Sequence, residues 1–203
     1  YYVPQNMPDL IYLIGGKDSF VNKLNRQFEL AAPTNFITPH GSHARNWVDY
    51  ENQPSLHRAH LFIHAGAPWL TQYWVRRIKQ DVFGDITPYG GYNGDEDQGQ
   101  MGALGVLMAI GLFDVQGGAS VEPRYEITSP VFDKITIQLD NRYYPGKEFV
   151  IAVKNNSKEN VYIQSVCLNG QALNSFHFPH SELVKGGLLE IELGPEPNKN
   201  WGN

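Results

Sequence analysis

Apolar residues follow two different spacings along this chain, and the change between them falls near residue 118. Before it, they recur every three or four positions, which is the period of helices with one buried face. Residues 9–14 predict a short helix stopped at Gly15-Gly16, where glycine suits a left-handed helix end. Asp18 suits the N-cap of a second helix, with Phe20, Val21, Leu24 and Phe28 as its buried stripe. A third helix is expected over residues 54–65, closed by Gly66. Pro68 suits the first turn of a fourth, which runs through Trp69, Val75, Ile78 and Val82. That helix–Gly–Pro–helix join marks an αα-hairpin. A fifth helix ends near Phe113, and its Gly99, Gly102 and Gly105, at three-residue spacing, predict a close helix–helix contact. Residues 33–50 carry turn formers without a period and read as a long loop.

Beyond the change the pattern alternates, as strands with two unlike faces do. Residues 135–139, 149–153, 161–166 and 188–193 predict four strands, and Asn169-Gly170 is a two-residue hairpin signal. Residues 180–185 read as one helical turn. Helices first and strands afterwards define an α+β fold. The expected division is a helical part over residues 1–117 and an antiparallel, sandwich-like β-rich part over 118–203.

Composition narrows the function classes. A net charge of −5, with no basic stripe, excludes a phosphate-backbone binder and so removes nucleic acid as a partner. No apolar run reaches the length of a membrane span. The lone Cys167 rules out an internal disulfide framework. Tyr1-Tyr2-Val3-Pro4-Gln5 is neither an initiator Met nor a signal sequence, so the chain reads as a piece of something longer.

The strongest candidate for chemistry is Gly94-Asp95-Glu96-Asp97-Gln98-Gly99-Gln100-Met101, just ahead of the fifth helix. Three successive carboxylates bracketed by glycines allow two readings. Asp97 as N-cap with Gln100 three residues on forms a capping-box-like pair at the positive end of a helix. Alternatively, Asp95 and Asp97 point to one side of an extended loop and act on a water, a hard cation or both. The two readings are compatible, and a third acid with two glycines exceeds what capping needs. Asn52 and Gln53, ahead of the third helix, offer oxygen ligands that suit calcium beside those aspartates, or simply a polar helix start. His57, His60 and His64 share a predicted helical face. His60 and His64 have zinc-ligand spacing, but Leu61 stands where a metalloprotease glutamate would, so a structural or substrate-facing row is the better reading, with His57 as a substrate contact. Trp69, Tyr73 and Trp74 crowd one helix, where packing or stacking on a sugar would use them, Trp69 being the candidate sugar contact. A nucleophile elbow, a phosphate loop and a dinucleotide fingerprint are absent.

Taken together these motifs resemble glycoside hydrolase family 92. The resemblance rests on the acidic run with Ile110-Gly111-Leu112-Phe113, on Asn52-Gln53-Pro54-Ser55, and on Ala65-Gly66-Ala67-Pro68-Trp69-Leu70-Thr71-Gln72. It extends through Ser129-Pro130-Val131-Phe132-Asp133-Lys134, Asn155-Asn156-Ser157, Leu168-Asn169-Gly170 and Gly194-Pro195-Glu196-Pro197-Asn198, and so covers nearly the whole chain. The resemblance implies a calcium-dependent bacterial exo-α-mannosidase that inverts the anomeric centre, α-1,2-mannosidase-like and exported to the periplasm or secreted. It also implies that this chain holds the last helices of an (α/α)6 barrel and the β-structure that closes the protein. Its partners are then α-mannoside glycans and the remainder of its own parent chain, an N-terminal β-sandwich and the other barrel helices. Asp97 matches the family's principal catalytic base and Asp95 its assistant; Asn52 and Gln53 match positions near calcium and the sugar. Gln53 stands where the family has Glu, which keeps an oxygen but loses a charge. The general acid is expected immediately upstream of Tyr1, so this chain alone is expected to be inactive. Two other readings are a non-catalytic carbohydrate-binding or structural module, and a divergent glycosidase acting on another α-linked sugar.

Overall fold

The computed structural model describes residues 1–37, 48–87, 91, 94 and 98–202. Helix α1 (Met7–Leu13) starts under Asn6, whose side chain accepts the Asp9 N–H, and α2 (Lys17–Ala31) follows. Phe20, Leu24, Phe28 and Ala31 form the buried stripe of α2. Its N-cap is Gly16 rather than Asp18, which sits in the first turn, where its charge still faces the positive helix end.

The third predicted helix is not an α-helix. It is a 3-10 turn, Gln53–Ser55, then a 3-10 helix, Arg58–Ala65, closed by left-handed Gly66. With three residues per turn, side chains four apart diverge instead of sharing a face. His60 therefore stacks on Phe113 with ring centroids 3.7 Å apart, while His64 turns to Glu126. Among the described residues no group of three or more His, Cys, Asp or Glu is placed to hold a metal, so the zinc spacing does not become a site.

Helix α3 (Pro68–Asp81) begins as predicted, with Pro68 in its first turn. Trp74, Val75 and Ile78 bury into the helical core, while Gln72, equally buried, reaches the other way and accepts the Ile163 N–H through Oε1 at 2.9 Å. Phe28, Phe36, Phe62 and Trp74 form the aromatic centre of that core. Burying each of these large side chains contributes about 1.5–3 kcal/mol. Helix α4 (Gln100–Ile110) has Gly99 at its N-cap, so Gln100 is the first helical residue and not the third. The capping box expected of Asp97 and Gln100 is thus out of frame by two positions. Of the glycine stripe, Gly99 is the N-cap and Gly105 packs on Phe83, a residue past the end of α3 and not on a helix: a Cβ there would lie 3.2 Å from its ring.

The β half is two sheets around a second core. Strands β1 (Leu112–Phe113), β2 (Arg124–Ile127) and β7 (His177–Pro179) form a three-stranded antiparallel sheet in the order β1-β2-β7. Strands β3 (Lys134–Gln138), β4 (Glu148–Lys154), β5 (Tyr162–Leu168), β6 (Gln171–Ala172) and β8 (Gly187–Gly194) form the other, in the order β3-β4-β8-β5-β6. Phe149 of one sheet stacks on Phe178 of the other at 5.7 Å, which makes the pair a sandwich. Asn169 and Gly170 turn β5 into β6 with φ of 51° and 80°, both positive as the tight hairpin requires. One pairing departs from the antiparallel expectation. β4 and β8 are parallel, because the chain runs through β5, β6, β7 and the single turn α5 (His180–Leu183) before returning beside β4.

The helical layer and the sandwich are joined through α3 and the end of α4. Arg76 donates to Pro130 O, to Asn156 Oδ1 at 2.8 Å and to Ser157 O at 2.6 Å, so one guanidinium clasps two stretches of the β half. Nearby, His64 Nε2 lies 2.8 Å from Glu126 Oε1, both side chains almost wholly buried. Burial pushes the Glu126 carboxyl above the usual carboxylate range, with His64 opposing the shift.

Candidate active site

The segment ahead of the 3-10 helix is held from beneath by Tyr50. Its ring is fully buried against Phe36, its N–H donates to Phe36 O at 2.8 Å, and its hydroxyl accepts the Ala59 N–H at 3.3 Å. Above it the backbone is tied into consecutive turns. Asp49 N donates to Ser55 Oγ, Glu51 N to Asp49 Oδ1, and Gln53 N to Asn52 Oδ1 at 2.8 Å. Asn52 is exposed and Gln53 half-buried, so their amides stand at the surface of a rigid base.

Asp95 and Asp97, together with Glu96, lie outside the described residues. The residues beside them are informative. Gly94 is packed so closely on this segment that a Cβ would lie 2.4 Å from Glu51 O and 2.7 Å from Glu51 Cα, and its φ is +75°. The residue before Asp95 therefore abuts the residue before Asn52. On the other side of the acidic run, Gln98 and Gly99 are both left-handed, with φ of 66° and 84°, and lead directly into α4. For Gln98 that conformation costs roughly 1 kcal/mol or more. Replacing Gly94 with Ala combines a clash with a left-handed φ, whereas Gly117, at φ +63° with nothing within 4 Å, tests the φ cost alone. Gly94→Ala is expected to destabilise the intact protein by about 1–3 kcal/mol, clearly more than Gly117→Ala. Denaturant midpoints of the two variants check this; equal losses would mean the Glu51 contact is dispensable.

At the far side of the segment His57 is buried, and its Nε2–H donates to Tyr1 O at 3.2 Å. The Tyr2 ring stands edge-on to it at 5.2 Å. Burial first, and the neighbouring Arg58 charge after it, keep the His57 imidazole below its usual range, so the ring is neutral at neutral pH. Arg58 also lies over the Tyr1 ring at 5.5 Å. Residues 49–57 thus touch the start of the chain on one side and the approach to the acidic run on the other. Trp69 is placed elsewhere, in the first turn of α3, with Lys199 Nζ 5.4 Å from its ring centroid. Arg58 and the Tyr1–Tyr2 contacts with His57 escaped the sequence reading, although Arg58, the one formal charge between residues 54 and 65, was a usable signal. Nothing local pointed to Glu126 as the partner of His64.

Calcium takes roughly six to eight oxygen ligands. Asn52 and Gln53 offer amide oxygens only, a donor chemistry that suits a hard cation. The Gln53 N–H occupies one lone-pair direction of Asn52 Oδ1 and orients it. These two residues fit calcium as a partial, uncharged shell.

Comparison with known proteins identifies the family. The chain belongs to glycosyl hydrolase family 92: the family's catalytic domain matches residues 1–195. A secreted glycosidase, so far uncharacterized, from Arthroderma benhamiae is 31% identical over 206 residues, covering all of this chain and 23% of the relative. An α-mannosidase of the family from Bacteroides thetaiotaomicron superposes with a TM-score of 0.82 at 27% identity, over 99% of this chain and 25% of that one. An inverting mannosidase of the same family, from Bacteroides thetaiotaomicron VPI-5482, superposes with a TM-score of 0.75 at 28% identity, over 97% of this chain and 27% of that one. The chain thus spans about a quarter of the length of these relatives. Among the described residues, no helix is long and apolar enough to cross a membrane.

Proposed function

We propose that the parent protein is a secreted or periplasmic, calcium-dependent exo-α-mannosidase that inverts the anomeric centre, and that this chain supplies its catalytic base. The observation that carries this reading is the match to the family's catalytic domain over residues 1–195, a span that includes the acidic run. The mannosidases that superpose on the chain, one of them inverting, support it further. Asp97 is the principal base: it takes a proton from water as the water attacks the anomeric carbon, and Asp95 holds that water. The general acid, which the resemblance puts immediately upstream of Tyr1, protonates the leaving glycosidic oxygen as the C–O bond breaks. An inverting pair needs roughly 6.5–9.5 Å between its carboxyl groups to admit the water. The Tyr1–His57 contact and the Gly94–Glu51 contact favour such a pairing, since both bring the chain towards residues 49–57. Asn52 and Gln53 would hold the calcium, which when bound supplies coordination to the 2- and 3-hydroxyls of mannose. His57 and Trp69 complete the sugar contacts, and the helical layer is the last part of an (α/α)6 barrel. This chain by itself lacks the acid and does not turn over.

The intact protein, assayed on aryl α-mannosides and mannobioses, is expected to release β-mannose as the first-formed anomer by proton NMR and to lose activity with EDTA. First-formed α-mannose, or turnover indifferent to the chelator, would sink the reading. Galactosides and glucosides run in parallel test whether Gln53 has moved the specificity to another α-linked sugar.

A further inference from the structure

Arg58 is the one formal charge in the 3-10 helix that follows residues 49–57, and it is half-buried. Burial lowers its pKa from the ordinary guanidinium value, with Tyr50, then Tyr1 and Asp49, opposing the shift. A guanidinium keeps its charge all the same. Taking that charge partly out of water costs free energy that an apolar side chain of similar length would not. What the charge adds is direction: the guanidinium lies over the Tyr1 ring, 5.5 Å from its centroid.

Tyr1 is held from three sides. Its ring meets the fully buried Phe20 of α2 edge-on, with centroids 5.7 Å apart, and carries Arg58 over its face. Its carbonyl accepts the His57 Nε2–H at 3.2 Å and the Val3 N–H at 3.0 Å. His57 and Arg58 are adjacent, the N-cap and the first residue of the 3-10 helix. The next residue, Ala59, donates its N–H to the buried Tyr50 hydroxyl. Tyr50 is followed by Glu51, on which Gly94 packs. A short packed path therefore runs from Tyr1 through Arg58 and Tyr50 to the residue that leads into the acidic run.

We propose that Arg58 is a positioning residue: with His57 it clamps Tyr1 beside residues 49–57, and so sets where the chain upstream of Tyr1 stands relative to the acidic run. Its part in catalysis rests on the proposed activity, in which the general acid precedes Tyr1. The clamp itself rests on the contacts.

The test compares two substrates of the intact protein that differ in their need for a proton on the leaving group. Mannobiose releases a sugar alkoxide unless the acid protonates it, whereas 2,4-dinitrophenyl α-mannoside releases a phenolate that departs unaided. Arg58→Met keeps the length of the side chain and removes the charge. It is expected to lower kcat/KM on mannobiose by about tenfold to a hundredfold, and on the dinitrophenyl mannoside by less than about threefold. Arg58→Lys, which keeps the charge and loses the planar fork, is expected to lose about threefold to fivefold on mannobiose alone. It carries the test by itself if Arg58→Met does not fold. Equal losses on the two substrates, or none, overturn the proposal. If wild type hydrolyses neither substrate, the proposed activity fails, and amide hydrogen exchange in the variants decides the clamp alone. Faster exchange over residues 3–10, with α3 unchanged, then upholds the clamp, and any other result overturns it.

Discussion

Asp97→Asn in the intact protein is expected to lower kcat on an aryl α-mannoside by about 10²–10⁴-fold while leaving KM within about threefold. Asparagine keeps the size and one oxygen of aspartate but cannot take a proton, so substrate still binds and water is no longer activated. Asp95→Asn is expected to cost less, about tenfold to a hundredfold, because it orients the water and does not receive the proton. The frame of α4 separates this outcome from a structural one. Gly99 is the N-cap of that helix and Gln100 its first residue, so position 97 lies outside the capping-box frame. The variant should therefore melt within a few degrees of wild type. Steady-state kinetics together with thermal melts check both parts. A fall in kcat of less than about threefold would remove Asp97 from the role of base.

Acid is expected to destabilise the protein through His60. The ring is wholly buried, neither nitrogen has a hydrogen-bond partner among the described residues, and burial with the charges of His57 and His64 pushes its pKa down to about 3. An unfolded chain binds that proton near pH 6.5, as imidazoles ordinarily do. Between these two values the unfolded state holds more protons than the folded one, so stability rises with pH. The contribution is complete above about pH 6.5 and falls by roughly 1.4 kcal/mol per unit as the medium is acidified towards pH 3. Glu126 runs the other way. Its folded pKa is raised, so its contribution is present below the ordinary carboxylate range and is lost as pH rises through the raised value. His60→Phe keeps a ring against Phe113 and removes only the acid-sensitive part. The variant should gain on wild type in thermal stability as pH falls from 7 to 4. Parallel pH profiles for the two proteins would show that His60 is not the source.

The sequence was legible where one residue's neighbours along the chain decide its environment. Strands β3, β4, β5 and β8 alternate because each has one face in the second core. Asn169-Gly170 reads as a hairpin because few other pairs tolerate two positive φ values in succession. The 3-10 helix was misread because apolar residues spaced at three and four fit both helix types, and the difference surfaces only in where His60 and His64 end up. The three-stranded sheet was missed for another reason: strands of two to four residues are too short to establish a period. Of the candidate site, Asn52 and Gln53 stood out through their polar spacing, and Asp95 and Asp97 through their density. What escaped were partners distant in sequence, such as Tyr1 for His57 and Glu51 for Gly94, which no local pattern encodes.

The position of β8 has a consequence for how the molecule is made. Of the eight strands described it is the last to leave the ribosome, yet it lies in the middle of its sheet, parallel to β4 on one side and antiparallel to β5 on the other. Until residues 187–194 have emerged, β3–β4 and β5–β6 are two separate hairpins with no strand between them. Each then presents an unpaired edge, the kind of surface on which nascent chains associate wrongly. The β half of this protein is therefore completed from its centre, in a single late step, and the helical layer must wait through synthesis for the sheet against which α3 is finally held.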